Sequence, residues 1–128
     1  DTLAVLEAAL EAGRRTGGKF DITFGALAEV WKFDHDQDNQ VPSTEAIASR
    51  LPRVDFEAVR VDLASSQAEI RRAGVRIHLG GIGKGYAVDR AAAILRRAGF
   101  NDFLIQAGGD LYAAGRRGAR PWRAGLQD

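Results

Sequence analysis

Leu3, Leu6, Leu10 and Gly13 recur at helical spacing near the start of the chain, among the strong helix formers Ala8, Ala9 and Ala12. Gly17 and Gly18 are expected to stop that helix. Residues 20–23 then form a short connector, where Asp21 and Thr23 suit a turn or the cap of the next element. Leu27, Val30, Trp31 and Phe33 predict a short helix with an apolar face, and Trp31 is expected in the core. A further short helix is expected over residues 44–51, introduced by Pro42 and closed by Pro52. The period then changes to two. Val59, Val61 and Leu63 alternate with polar residues, and so do Val75, Ile77 and Leu79. Residues 69–72 read as a short polar strand between them, with turns at 64–67 and 73–74, so an antiparallel meander is predicted. On its last strand, Arg76 and His78 face away from Val75, Ile77 and Leu79. Val88, Ala91, Ala92, Leu95 and Ala98 form the apolar stripe of a helix that Gly99 caps. Residues 103–107 read as a buried strand, Gly108-Gly109-Asp110 as a bend or close backbone approach, and residues 111–114 as a continuing strand. Residues 116–120 are a basic, solvated turn, and a further strand is expected over residues 122–126. This pattern is an α+β fold of antiparallel strands with packed helices.

Composition narrows the picture. At 128 residues the chain is expected to form a single domain over residues 1–128, large enough to bury a core. A net charge of +1 gives no case for bulk electrostatic binding to nucleic acid or to a membrane surface. Without cysteine there are no disulfides, thiol nucleophiles or thiolate metal sites. No apolar run is long enough to span a bilayer, and there is no signal-like start. The chain opens inside a helical pattern and closes inside a strand-like one, so it reads as an internal piece of a larger protein, truncated at both ends.

The strongest chemical signal is the run His78-Leu79-Gly80-Gly81-Ile82-Gly83-Lys84-Gly85 between the last meander strand and a helix. Closely set glycines let a ligand approach the backbone, and the first turn of a helix offers free N–H donors and a positive dipole end. Lys84 adds a full positive charge, so a phosphate or pyrophosphate is the natural guest. A Walker A loop would need Gly at His78 and Ser or Thr at Gly85. Both registers of the dinucleotide fingerprint fail, one at Tyr86 and the other at Val88. The bland alternative is a tight strand-to-helix turn with a solvated lysine. The acidic run Asp34-His35-Asp36-Gln37-Asp38 loosely has calcium-loop spacing but lacks the loop's glycine and terminal Glu, and reads as a solvated loop.

Three ordered stretches carry a family resemblance. Residues 79–89, LGGIGKGYAVD, resemble the signature of the FAD:protein FMN transferases, the ApbE family. Phe20-Asp21-Ile22-Thr23-Phe24-Gly25-Ala26-Leu27 with Trp31-Lys32-Phe33 resembles a second family segment. Gly108-Gly109-Asp110 with residues 121–128, PWRAGLQD, resembles a third. The resemblance implies an ApbE-like core and an enzyme that binds FAD with Mg²⁺. Such an enzyme cleaves the FAD pyrophosphate, attaches FMN to a Ser or Thr hydroxyl of an acceptor flavoprotein subunit, and releases AMP. It further implies flavin-nucleotide contacts at Lys19, Phe20, Asp21, His78 and Lys84, a supporting role for Asp89, and a metal-ligating carbonyl at Gly81. At His78 the family has Asp, so this chain departs from the pattern there. No catalytic residue is expected among these 128 residues, whose downstream catalytic and metal segments would lie beyond Asp128, so the chain alone is expected to be inactive. The resemblance also suggests an extracytoplasmic, membrane-anchored life. A non-catalytic flavin-nucleotide binding or carrier protein is the alternative, favoured by His78, and a ligand-free interaction module is a third reading.

Overall fold

The computed structural model describes residues 1–32 and 37–125. Two compact units divide the chain, Asp1–Gly81 and Ile82–Asp128.

In the first unit, helix α1 (Thr2–Arg15) buries Val5, Leu6, Ala9, Leu10 and Gly13 along one face. It ends at the predicted glycines, where the amides of Gly17 and Gly18 donate to the carbonyls of Arg14 and Gly13. Gly13 is small because the Phe56 ring lies on it, with an added Cβ only 3.0 Å from that ring. Helix α2 (Thr44–Arg50) starts at Ser43, whose hydroxyl accepts from the Ala46 amide at 3.2 Å. Pro52 sits inside the 3₁₀ turn Leu51–Arg53 that extends this helix. Strands β1 (Val59–Asp62) and β2 (Gln67–Ile70) form an antiparallel hairpin with Val59 opposite Ile70. Asp62 Oδ1 accepts from the Ala64 and Ser65 amides at its turn.

Three expectations change here. The predicted third meander strand does not join the β1–β2 hairpin. Arg76 instead makes a single parallel bridge to Phe24, and the His78 amide donates to the Ile22 carbonyl at 2.7 Å. Its alternation is still correct: Val75 is buried, Ile77 and Leu79 are half-buried, and Arg76 and His78 are exposed. The reason for the new partner is Gly25, where an added Cβ would stand 2.7 Å from the Arg76 carbonyl oxygen. The second change is that the predicted helix around Leu27 is only a 3₁₀ turn, Gly25–Leu27, followed by turns that the Val30 and Trp31 amides close onto the Leu27 carbonyl. Trp31 is half-buried rather than a core residue, and Phe33 lies outside the described residues, as does the Asp34-His35-Asp36 start of the acidic loop. The third change is that the polar strand predicted at residues 69–72 lies two residues earlier, as β2.

The second unit is one helix and one hairpin. Helix α3 (Gly83–Arg97) buries Val88 and Ala92 and packs on strands β3 (Phe103–Ala107) and β4 (Asp110–Ala114). It closes with Gly99 at φ +88°, where the Gly99 and Phe100 amides donate to the Arg96 and Leu95 carbonyls. Ala107 opposes Asp110, so Gly108-Gly109 is a two-residue hairpin loop with both φ positive, +54° and +101°. The bend expected there is this turn. Strand β3 alternates between half-buried and exposed residues rather than being buried throughout, because one face of the hairpin meets α3. Phe103 and Tyr112 stack on it at 6.1 Å, and Arg96 lies 5.6 Å over the Tyr112 ring. Residues 122–125 are not a strand, and Leu126 lies outside the described residues. The Trp122 indole instead donates to the Ala114 carbonyl at 2.9 Å. Among the described residues no helix is long and apolar enough to cross a membrane.

Gly25→Ala forces a methyl against a backbone oxygen that cannot rotate away. It is expected to cost about 1–3 kcal/mol, read as a lower unfolding midpoint in urea at unchanged slope. A midpoint equal to wild type would show that residues 25 and 76 do not approach as described.

Candidate functional site

The glycine run spans the junction of the two units, so its two ends are described separately. In the first unit, a ribbon of residues 20–24 lies along residues 76–81. Phe20 reaches Gly81, where an added Cβ would stand 3.2 Å from its ring. Phe24 meets the His78 imidazole with ring centroids 5.0 Å apart. Of the expected site residues the structure therefore brings Phe20 to Gly81, while His78 meets Phe24 and Ile22 of the same ribbon. Lys19 is exposed just before the ribbon.

His78 turns its Nδ1 onto the Gly80 amide at 3.2 Å. Gly80 has no room for a side chain, because a Cβ there would press on the imidazole. Asp21 is engaged inside the protein. Its Oδ1 accepts from the Thr23 amide at 2.7 Å and from the Thr23 hydroxyl at 2.5 Å, and its Oδ2 accepts from the Phe56 amide at 3.0 Å. The Thr23 hydroxyl in turn accepts from the Asp55 amide at 2.7 Å, and Thr23 is fully buried at 0% exposure. Sequence reasoning treated Thr23 as a simple turn residue and gave Asp55 and Phe56 no role. The hydrophobic pattern holds no signal for a partner more than thirty residues away.

In the second unit, α3 begins against the usual rules for a helix start. Ile82 stands at the N-cap and supplies no side-chain cap bond, and the first turn holds no acidic residue. Glycine occupies positions 83 and 85 within that turn, each costing up to about 1 kcal/mol relative to Ala in a helix. Neither has a positive φ, and an added Cβ at either meets nothing within 4 Å among the described residues. Among the described residues nothing packs where a side chain would stand at either glycine, which leaves this backbone open to a ligand. Lys84 places a cation at the positive end of the dipole, an arrangement that an anion would relieve. Its Nζ donates to the Gly108 carbonyl at 3.3 Å, so the hairpin tip holds the ammonium near the helix start. Asp89 is exposed on the next turn of α3.

Comparison with known proteins bears on both ends of the run. The ApbE family matches the chain over residues 1–128. The chain belongs to the ApbE family. The FAD:protein FMN transferase of Escherichia coli K12 is 30% identical over 127 residues, covering 96% of this chain and 36% of that protein. The enzyme of the same name from Rhodobacter capsulatus is 30% identical over 123 residues, covering 93% of this chain and 24% of that protein. Among solved structures, the ApbE protein of Thermotoga maritima aligns with a TM-score of 0.88 at 36% identity, over 99% of this chain and 42% of its own. The flavin transferase ApbE of Vibrio cholerae aligns with a TM-score of 0.86 at 26% identity, over 98% of this chain and 40% of its own. The α+β fold is thus that of ApbE proteins, and the chain spans about a third of the length of the Escherichia coli relative.

Because the first turn of this ApbE helix has room for side chains, Gly85→Ala is expected to leave stability unchanged or raise it by up to about 1 kcal/mol. Thermal and urea unfolding of the purified protein check this. A clear loss of stability would give Gly85 a folding role and remove its value as a ligand signal.

Proposed function

We propose that the protein to which this chain belongs transfers FMN from FAD to a Ser or Thr hydroxyl of an acceptor protein and releases AMP, with Mg²⁺ required. The observation that carries this reading is the start of α3: two glycines with open space above them among the described residues, no side-chain cap on the first turn, and Lys84 beside it. The shared name of the curated relatives supports it. In the reaction, the acceptor hydroxyl oxygen bonds to the FMN phosphorus and gives up its proton to solvent, as the bond from that phosphorus to the bridging oxygen breaks and AMP leaves with that oxygen. Such transfers are promoted by positioning and by neutralising phosphoryl charge.

The residues of this chain fit part of that task. The first-turn amides of α3 donate to phosphate oxygens, and Lys84 neutralises one charge while the Gly108 carbonyl restrains it. Phe20 packs beside Gly81 and supplies an apolar wall. Gly81 is exposed and offers a backbone carbonyl, a hard oxygen suited to Mg²⁺. Bound Mg²⁺ would supply charge stabilisation to the phosphoryl group. Among the described residues no group of three or more His, Cys, Asp and Glu side chains gathers. The Gly81 carbonyl would then be one ligand of a shell that other residues of the whole protein complete, and the isolated chain should show no transferase turnover.

The test uses the full-length protein with FAD, Mg²⁺ and a Thr-bearing acceptor, read by intact-protein mass spectrometry. The acceptor is expected to gain the mass of an FMN phosphoester. Lys84→Ala removes a charge-assisted contact worth about 1.5–3 kcal/mol, so FAD should bind roughly 10- to 100-fold more weakly and the mass gain should fall with it. Gly85→Ala should weaken FAD binding without loss of stability. No mass gain with FAD still bound would favour a flavin carrier, the reading that His78 in place of the family's Asp supports. Absence of FAD binding would sink both readings.

A further inference from the structure

The ribbon that lies along the glycine run has its own anchor, and that anchor is a hydroxyl. Thr23 is fully buried, yet its side chain makes two polar contacts. It donates to Asp21 Oδ1 and accepts the Asp55 amide, while Asp21 Oδ2 accepts the Phe56 amide. These bonds close a loop between residues 21–23 and residues 55–56, which are far apart in sequence. On either side of the loop, the ribbon presents its working groups. The Ile22 carbonyl takes the His78 amide at 2.7 Å, Phe20 stands at Gly81, and Phe24 meets the His78 ring. The Thr23 side chain makes none of these contacts to the run, but every group that does make one lies within three residues of it in the chain.

We infer that Thr23, acting through Asp21, is a positioning residue that fixes the His78–Gly81 end of the glycine run. The Asp21 carboxylate serves as an internal brace: its oxygens accept three donors of the protein itself. A valine at position 23 has almost the same shape but can neither donate to Asp21 nor accept from Asp55. The part-buried Asp55 amide is then left without its acceptor, and Asp21 Oδ1 keeps only the residue 23 amide of its two donors, so both groups are under-satisfied. The ribbon can relieve them by shifting, and a shift moves Ile22 away from the His78 amide and Phe20 away from Gly81. Serine keeps both hydrogen bonds and loses only a methyl group.

Two readouts on the full-length protein test this, and only the second rests on the flavin reading proposed above. The first is hydrogen exchange. In Thr23→Val the His78 amide is expected to exchange roughly tenfold faster or more, while the amides of Ala92 and Leu95 in α3 stay at wild-type rates. Thr23→Ser should restore His78 protection to within about threefold of wild type. The second is FAD affinity by fluorescence titration. Thr23→Val should raise Kd about tenfold, and Thr23→Ser should return it close to wild type. Unchanged His78 exchange in folded Thr23→Val would overturn the inference, as would faster exchange spread equally over α3, which marks plain loss of stability. Should the wild-type protein bind no FAD, the flavin reading fails while the exchange data still judge the brace. If Thr23→Val does not accumulate as folded protein, Asp21→Asn takes its place. It sets an amide donor against the Phe56 amide, so the same selective loss of His78 protection is expected, and its absence overturns the inference.

Discussion

The first unit depends on one backbone approach, that of residues 22–25 to residues 76–78. Two chains come this close only if the side chains between them permit it. Gly25 permits it by having no Cβ in front of the Arg76 carbonyl. Once the backbones meet, the His78 amide finds its acceptor on Ile22, a residue only 1% exposed. A buried carbonyl needs a partner, so the pairing satisfies both strands at once. Glu29 adds a polar clasp outside it, binding Arg76 at 2.8 Å and Arg50 at 2.6 Å. These partly exposed pairs contribute little on their own, and solvent screens them. The backbone contact beneath them sets the geometry, and the charged side chains lie over it.

The helix of the second unit is built by two opposite standards. Its C-terminal end follows every local rule: Gly99 in the left-handed region, two closing amides, and Arg96 and Arg97 in the last turn where cations suit the dipole. Its N-terminal end follows none, with isoleucine at the cap, glycines in the turn and a lysine where an acid is favoured. Both ends belong to one helix on one hairpin, so a general weakness of the sequence does not account for the difference. Local conflict with folding rules concentrates where function sets the residues.

Much of this was legible from the chain alone. Helix α1, its glycine stop, the stripe of α3 and its Gly99 cap follow from periodicity and glycine placement, which are local signals. Strand β1 follows from alternation, whereas its partner β2, a polar run, lies two residues before the strand expected there. What alternation does not encode is the partner. Residues 75–79 have a strand's pattern, and the same pattern serves a meander or a bridge to Phe24 equally well; the choice lies with Gly25, some fifty residues earlier. Trp122 shows the same limit. Its run looks like a strand, but the indole hydrogen bond to Ala114 is a tertiary event that hydropathy does not foresee. For the site, Phe20 does lie against Gly81, whereas the partners of Thr23 and Asp21 were invisible because the backbone amides of Asp55 and Phe56 carry no sequence signature.

The glycines of this chain separate into three physical kinds, and the distinction governs how the motif should be read. Gly108 and Gly109 answer to backbone conformation, since a two-residue hairpin needs positive φ at both positions. Gly13, Gly25 and Gly80 answer to protein neighbours, each with a ring or a carbonyl where a methyl would stand. Among the described residues Gly83 and Gly85 answer to neither. A motif written as a string of glycines merges these kinds, so its presence alone does not separate fold from function. The useful part of the LGGIGKGYAVD signature is therefore its second half, where the residues oppose the helix they begin. The stretch from His78 to Gly81, which leads into it, is held by the ribbon, and Thr23 and Asp21 position it from outside its own sequence. An ApbE relative could keep every glycine of the run and still lose the site through a change at position 23.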